Sequence, residues 1–311
     1  MKWNKKGHIY KTENQYEWMH SHAQCPTAVV LDDRIRIYFS ARLKSVESLP
    51  TFIDVERTNP QKIIQLNPQP ILEMGRRGTF DENGIIPSYF IRKDNKLFFY
   101  YAGWSRCKNV PYKNFTGLAI SDDNGQSFKK FSEAPVFTLN HMDPLSATGP
   151  CITNINNQFI AIYSTGIDWI EIDGKLEHTY LITYATSNDA IHWVPSGEII
   201  INPENEFIAH CKPAMIFLNG VYHLWFSKRG SHNFRKLGNT AYRLGYAYSK
   251  DFINWTRDDS KAGIDVSENG WDSEMICYPH IVQVEDKYLM FYNGNGFGLS
   301  GFGYAELELN Y

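Results

Sequence analysis

The sequence predicts an all-β protein, a five-bladed β-propeller with four antiparallel strands per blade, running as a single domain over residues 1–311. Three observations predict it. A proline-bearing segment recurs at Pro26, Pro87, Pro150, Pro213 and Pro279, at spacings of 61, 63, 63 and 66 residues. After each proline the same order follows: a β-branched or apolar stretch, a polar turn, and an aromatic-rich strand. No Pro/Ser/Gly-rich linker or low-complexity segment interrupts the series, so the five copies read as one repeat architecture.

The elements follow in order within each repeat. The aromatic strands are Arg34–Phe39, Lys96–Tyr101, Gln158–Tyr163, Val221–Phe226 and Lys287–Tyr292. The pairs before them, Asp32-Asp33, Asp94-Asn95, Asn156-Asn157, Asn219-Gly220 and Glu285-Asp286, suit the tight turn of a hairpin. Third strands are expected at Leu118–Ser121, Tyr180–Thr186, Leu244–Ser249 and Gly303–Leu307, with a looser one around Phe52 to Val55 in the first repeat. The turns after three of them share a theme, starting at Ser121, Ser187 and Ser249. Fourth strands are expected near Ile71-Leu72, Pro135–Phe137, Ile199–Ile201 and Ile264–Val266. The fifth repeat has no chain left for one, and His8-Ile9-Tyr10 is expected to supply it. Pairing the first and last segments closes the ring and removes exposed edges.

Composition sets the class of protein. A 43% hydrophobic share with 21% charged residues supports a core and argues against disorder. The formal net charge is −3 and the basic residues are dispersed, which excludes the footprint of a nucleic-acid or anionic-membrane binder. No window approaches the roughly 18 apolar residues of a membrane span. A cytoplasmic location and a small neutral or weakly charged partner are expected; the oligomeric state is left open. Cys25, Cys107, Cys151, Cys211 and Cys277 are odd in number and scattered, as for reduced thiols packed as small hydrophobes.

In a propeller the innermost strands line the axis, so the residues just before each marker proline are expected to converge on one pocket. These stretches are Trp18–Cys25, Phe80–Gly84, His141–Ser146, Glu206–Lys212 and Trp271–Tyr278. They concentrate histidine, carboxylate, Gln and Lys, groups that are costly to bury unless paired or facing a wet cavity.

The blade pattern and these stretches resemble the five-bladed propeller glycosidases, glycoside hydrolase families 32, 43, 117 and 130. The invertase-like branch carries W-M-N-D-P, F-R-D-P and E-C-P motifs. The similar strings here are Trp18-Met19-His20-Ser21-His22, Phe80-Asp81-Glu82-Asn83 and His210-Cys211-Lys212-Pro213. Ser21 stands where the nucleophilic Asp would be, Glu82 keeps a carboxylate, and His210 replaces the acid/base Glu in the fourth repeat rather than the third. The resemblance implies the fold and a carbohydrate-active enzyme, but the usual catalytic trio is absent.

An acid/base set is nevertheless expected, because glycoside cleavage needs a proton donor and a base or nucleophile flanking the bond. Glu82 is assigned as base or nucleophile, His210 as general acid, and Glu274 as pKa tuner or hydroxyl acceptor, with Asp81 beside them. The bland alternative is that Asp81 and Glu82 order the turn before Asn83-Gly84, and that the histidines are structural. Substrate contacts are expected from His20, His22, Gln24, Asp143, Lys212, Arg229, Arg243, Asp272, Tyr278 and Trp104. Trp169 and Trp225 offer further stacking faces, and Lys228 a further cation for a sugar carboxylate or nucleotide-sugar phosphate. No cofactor is expected. His20 and His22 with Glu82, His210 or Glu274 would suit a metal, but no local ligand signature marks one, and an ion on the axis stays an alternative. A propeller that binds a glycan or protein without chemistry is the competing reading.

Overall fold

The computed structural model describes residues 1–205, 208–235 and 240–308. Glu206 and Phe207, which open one of the stretches named above, lie outside these residues. β1 (Lys2–Tyr10) begins the chain. Four sets of four strands follow: β2 (Ser21–Val30), β3 (Arg34–Arg42), β4 (Ser48–Glu56) and β5 (Ile63–Leu66); β6 (Gly84–Lys93), β7 (Lys96–Arg106), β8 (Tyr112–Ser121) and β9 (Lys129–Lys130); β10 (Ala147–Ile155), β11 (Gln158–Ile172), β12 (Lys175–Ser187) and β13 (Val194–Pro195); β14 (Ile208–Leu218), β15 (Val221–Gly230), β16 (Arg243–Ser249) and β17 (Thr256–Arg257). The fifth set is β18 (Cys277–Val284), β19 (Lys287–Asn293) and β20 (Phe302–Glu308), whose free edge pairs antiparallel with β1 from Lys2↔Glu308 to Tyr10↔Phe302.

The turn chemistry works as the residues dictate. Both turn residues are left-handed at Asp94-Asn95, Asn156-Asn157 and Asn219-Gly220, the geometry that lets a two-residue loop match the twist of its strands. Bonded pairs Lys93↔Lys96, Ile155↔Gln158 and Leu218↔Val221 close those hairpins. After the third strands, Asp123, Asp189 and Asp251 each bond the preceding serine and accept backbone N–H groups two to four residues on, fixing three copies of one turn.

Two expectations are corrected. The third strand of the first unit is not loose: β4 is nine residues long and buried along nearly all its length. The fourth strands lie earlier than the apolar runs that suggested them, at Ile63–Leu66, Lys129–Lys130, Val194–Pro195 and Thr256–Arg257. Short edge strands, with Lys, Arg or Pro in the last three, discourage further pairing. The later apolar residues instead pin the chain back onto the core. Ile71, Leu72, Phe137 and Ile201 are buried, and Phe137 and Ile201 make single bridges to Thr116 and Ile182.

Aromatic second strands pack between neighbouring units, as in the cluster of Tyr38, Phe52, Phe90, Phe99 and Phe128. The first strand of each unit touches the first strand of the next: β2 on β6, β6 on β10, β10 on β14, β14 on β18, and β18 back on β2. Side chains at the ends of second strands stitch these strands together. Ser40 donates to the Ile85 carbonyl, Ser227 accepts from the Tyr278 N–H, and Asn293 accepts from the Cys25 N–H, at 2.7 Å in each case.

Candidate functional site

The marker prolines do more than punctuate. In four units the ladder slips between the residues around the proline: Gln24/Thr27, Thr148/Cys151, Cys211/Ala214 and Cys277/His280. At these bulges the residue before the proline takes a left-handed backbone, with φ of 54° at Cys25, 67° at Gly149, 50° at Lys212 and 57° at Tyr278. A bulge re-aims a side chain, and left-handed φ at three non-glycine residues stores strain of a kind that gathers at functional sites. All four residues line one cavity of about 400 Å³, within the usual size range of ligand pockets.

The wall is built from every unit. Gln24, Arg42 and Ser48 come from the first, Ser88, Trp104, Tyr112 and Asn114 from the second, Ser146, Thr148, Ser164 and Tyr180 from the third. Cys211, Lys212 and Tyr242 come from the fourth and Tyr278 from the fifth. Trp104 is held by a 2.9 Å bond from its indole N–H to Ser48. Tyr180 and Tyr242 share a 2.6 Å hydroxyl contact, and burial raises the pKa of these phenols and of Tyr278, so all are neutral donors. The Asn114 Oδ1 and Ser164 Oγ atoms are buried without a hydrogen-bond partner.

Among the described residues no Asp or Glu lines this cavity; its charges are Arg42 and Lys212. Lys212 is 5% exposed, and its Nζ reaches the Ser88 carbonyl at 2.6 Å. Burial lowers its pKa, since a desolvated ammonium is disfavoured. Arg42 donates through Nε to Gln24 at 2.9 Å, and burial lowers its pKa as well. Cys25 is pushed up to about 12 by burial and is an inert thiol.

The residues expected to gather here therefore divide. Gln24, Trp104, Lys212 and Tyr278 line the cavity. Arg229 stands behind it, donating to the Tyr242 hydroxyl at 3.3 Å and the His178 carbonyl at 2.8 Å with its guanidinium over Phe234. The expected catalytic set does not line it. Glu82 accepts the Gly78 N–H at 2.7 Å and orders its own turn. His210 is fully buried, 3.5 Å from Glu204, in a network with Lys228, Arg257 and Asp259. The Glu274 backbone is held by Asn295 and Arg243.

Asp81, Asp143 and Asp272 share one fate. Each is 1% exposed and accepts the hydroxyl of the tyrosine twenty residues later, Tyr101, Tyr163 or Tyr292, at 3.1, 2.8 and 3.0 Å. Asp81 also pairs with Lys130 at 2.6 Å and Asp272 with Lys5 at 2.7 Å. These bonds brace the units, and none of the three carboxylates lines the cavity. His20 is exposed beside Asn14, and His22 bonds Ser21. Arg243 pairs with Asp265, Trp225 is buried against the Ala262 carbonyl, and Trp169 stacks on His178. No group of three or more His, Cys, Asp or Glu is placed to hold a metal among the described residues. A second cleft of about 390 Å³, on the link between the first two units, holds charges already paired, Arg76 with Glu133 and Lys130 with Asp81.

The sequence reading missed Arg42, Ser48, Asn114, Tyr180 and Tyr242. It missed Ser164 too, for which a signal existed: like Ser40, Ser227 and Asn293, it falls 14 residues after its proline on a second strand.

No family model matches the chain. Among solved structures, a glycosyl hydrolase from Bacteroides ovatus superposes with a TM-score of 0.76 at 15% identity, covering 98% of this chain and 93% of that one. A structure described as "The GH130 family of mannoside phosphorylases contains glycoside hydrolases that target beta-1,2 mannosidic linkages in Candida mannan" gives 0.74 at 14%, with the same coverages. In sequence, the chain is 34% identical over 310 residues to "Uncharacterized protein Rv1502" of Mycobacterium tuberculosis (strain ATCC 25618 / H37Rv), covering 99% of this chain and 100% of that protein. It is also 36% identical over 97 residues to the 1,2-beta-oligomannan phosphorylase of Thermoanaerobacter sp. (strain X514), covering 30% of this chain and 31% of that one. The fold is that of the glycoside hydrolases. The chain belongs to the family of the Mycobacterium tuberculosis protein, and its fold is the one these glycoside hydrolase structures share.

Proposed function

We propose that this chain is a carbohydrate-active enzyme, a glycosidase-like hydrolase or transferase, and that it works at the central cavity on an intracellular glycoside or sugar intermediate. In this reading the five units are the blades of a five-bladed propeller whose ring β1 closes. The cycle of contacts among β2, β6, β10, β14 and β18 supports that arrangement. The observation that carries the function is the convergence of the strained residues Cys25, Lys212 and Tyr278 on one cavity with an indole, phenols and small hydroxyls in its wall. Aromatic faces stack on the C–H surfaces of a sugar, while Asn114, Ser164 and the phenols meet its hydroxyls. The phosphorylase relative supports chemistry on a glycosidic bond.

A cytoplasmic location, without a cofactor, belongs to the same reading. The five cysteines are all free thiols, consistent with a reducing compartment. One observation favours the non-catalytic alternative, a propeller that holds a glycan: the cavity wall, among the described residues, lacks the two carboxyl groups that most glycoside hydrolysis uses.

The test is a mass-spectrometric screen of aryl glycosides, oligosaccharides and nucleotide sugars, with and without phosphate, comparing the native protein with Trp104→Ala. Turnover that disappears in Trp104→Ala supports an enzyme working in this cavity. Binding without turnover, lost in the same variant, selects the glycan-binding alternative. Turnover unaffected by Trp104→Ala moves the chemistry elsewhere and overturns the reading.

A further inference from the structure

Two cations face the cavity with nothing to neutralise them. Lys212 uses one of its three ammonium hydrogens on the Ser88 carbonyl and forms no ion pair among the described residues. Arg42 uses Nε on Gln24, and its two terminal nitrogens have no protein partner there. Elsewhere among the described residues buried or half-buried cations are satisfied: Arg36 by Asp54, Lys228 and Arg257 by Glu204 and Asp259, Lys130 by Asp81, and Arg229, which has no carboxylate partner, by the Tyr242 hydroxyl and the His178 and Gly230 carbonyls. Burying an ammonium without a counter-charge is expensive, and here the cost is joined by a left-handed backbone at Lys212 itself. Opposite, Gly149 packs beside Lys212, where a Cβ would make ordinary contact at 3.8 Å from its Cα and Cδ.

From this we infer that the cavity recognises a sugar carrying an oxyanion, a carboxylate or a phosphate, held between Lys212 and Arg42, with Trp104, Asn114 and Ser164 receiving the ring and its hydroxyls. The planar guanidinium fork and the ammonium point charge are complementary donors to such a group. The inference rests on the proposed carbohydrate function and narrows its substrate class. It also relocates anion recognition, because Lys228, Arg229 and Arg243 are already committed to protein partners.

The experiment is calorimetric titration of the native protein with D-glucuronate, D-galacturonate, glucose 1-phosphate, inorganic phosphate, and neutral glucose and mannose. These are repeated on Lys212→Met, Arg42→Gln and the control Lys228→Met. The expected result is that at least one anionic probe binds at least about tenfold tighter than the neutral sugars. Lys212→Met and Arg42→Gln should each weaken it about tenfold or more, and Lys228→Met should leave it unchanged. The preferred probe identifies the source, since uronates alone mean a carboxylate and glucose 1-phosphate alone a sugar phosphate, whereas inorganic phosphate bound more tightly than any anionic sugar would overturn the claim that the sugar carries the oxyanion. Should Lys212→Met fail to fold, the half-buried Arg42 carries the test independently. Neutral sugars binding as tightly as anionic ones, no binding by any anionic probe, or anion affinity retained in Arg42→Gln would overturn the inference. Neutral-sugar binding lost in Trp104→Ala, with no anion preference, would sink this inference while leaving the carbohydrate reading standing; no binding of any sugar would sink both.

Discussion

Asp272 and Tyr278 lie six residues apart on the same approach to Pro279, yet they do opposite work. Asp272 does not line the cavity; it accepts from Tyr292 and pairs with Lys5 of the N-terminal strand. Tyr278 sits at the bulge with a left-handed backbone and turns into the cavity. The third unit repeats the division with Asp143, tied to Tyr163, and Gly149 on the cavity wall. Polar character along such a segment therefore does not mark the site by itself. The carboxylates brace the units, and the left-handed residue next to the proline faces the cavity.

Acid should separate the two regions most. His178, behind Tyr112 and Tyr180, and His280, bonded to the Ala28 carbonyl, are buried, and burial lowers them to about 4 and about 3. Their folded pKa values lie below the unfolded value near 6.5, so the unfolded chain takes up protons first. Stability is then full above about pH 6.5 and falls as pH drops from there toward 4, by up to roughly 1.4 kcal/mol per unit for each histidine. Urea unfolding midpoints from pH 7 to 4 should show this, with a shallower fall in His280→Gln. A flat profile over that range would show that the cavity side holds no neutral buried histidine.

Removing a brace comes next. Asp272→Ala leaves Lys5 and the Tyr292 hydroxyl without their acceptor and should cost about 3 kcal/mol, read by urea denaturation. Whatever ligand the cavity binds should keep its affinity in the folded fraction. Affinity lost at unchanged stability would return Asp272 to the site.

The bulges give a smaller and opposed pair of effects. Gly149→Ala puts a Cβ on a left-handed residue and should cost about 1 kcal/mol, although the Cβ would meet nothing nearer than 3.8 Å. Cys25→Gly relieves the same conformation and should stay within about 1 kcal/mol of the native protein despite deleting a buried side chain. Thermal melts of the two variants suffice; equal losses in both would mean that the backbone there is unstrained. Smallest of all, Glu82→Gln should change stability by no more than about 0.5 kcal/mol and leave ligand binding intact, because its carboxylate serves the Gly78 N–H at the turn. Binding lost in this variant would reverse the division between brace and site.

The repeat, the aromatic second strands, the hairpin turns and the pairing partner of the last strand were legible in the chain, since each depends on local pattern: a period near 63 residues, alternation, and Asn, Asp or Gly at the turns. The fourth strands were misplaced because burial at Ile71, Phe137 and Ile201 looks like strand burial, although these residues anchor a non-strand link. Gln24, Lys212 and Tyr278 were legible as cavity residues from their nearness to the prolines, and Trp104 only as one of several aromatic faces. Glu82, His210 and Glu274 do not line the cavity: Glu82 orders its turn at Gly78, as the bland reading allowed, while His210 meets Glu204 and the Glu274 backbone is held by Asn295 and Arg243, partners that no local pattern records.

What the sequence determined by itself is the number and order of the units and the identity of the chemical groups each brings to its inner strand. Which of those groups meet was decided only by tertiary structure. A bulge of one residue exchanges the two faces of a strand, and the cavity exists only where inner strands far apart in the chain come together. Arg42 and Lys212 become one site because they are left uncompensated there, and no spacing along the chain records that.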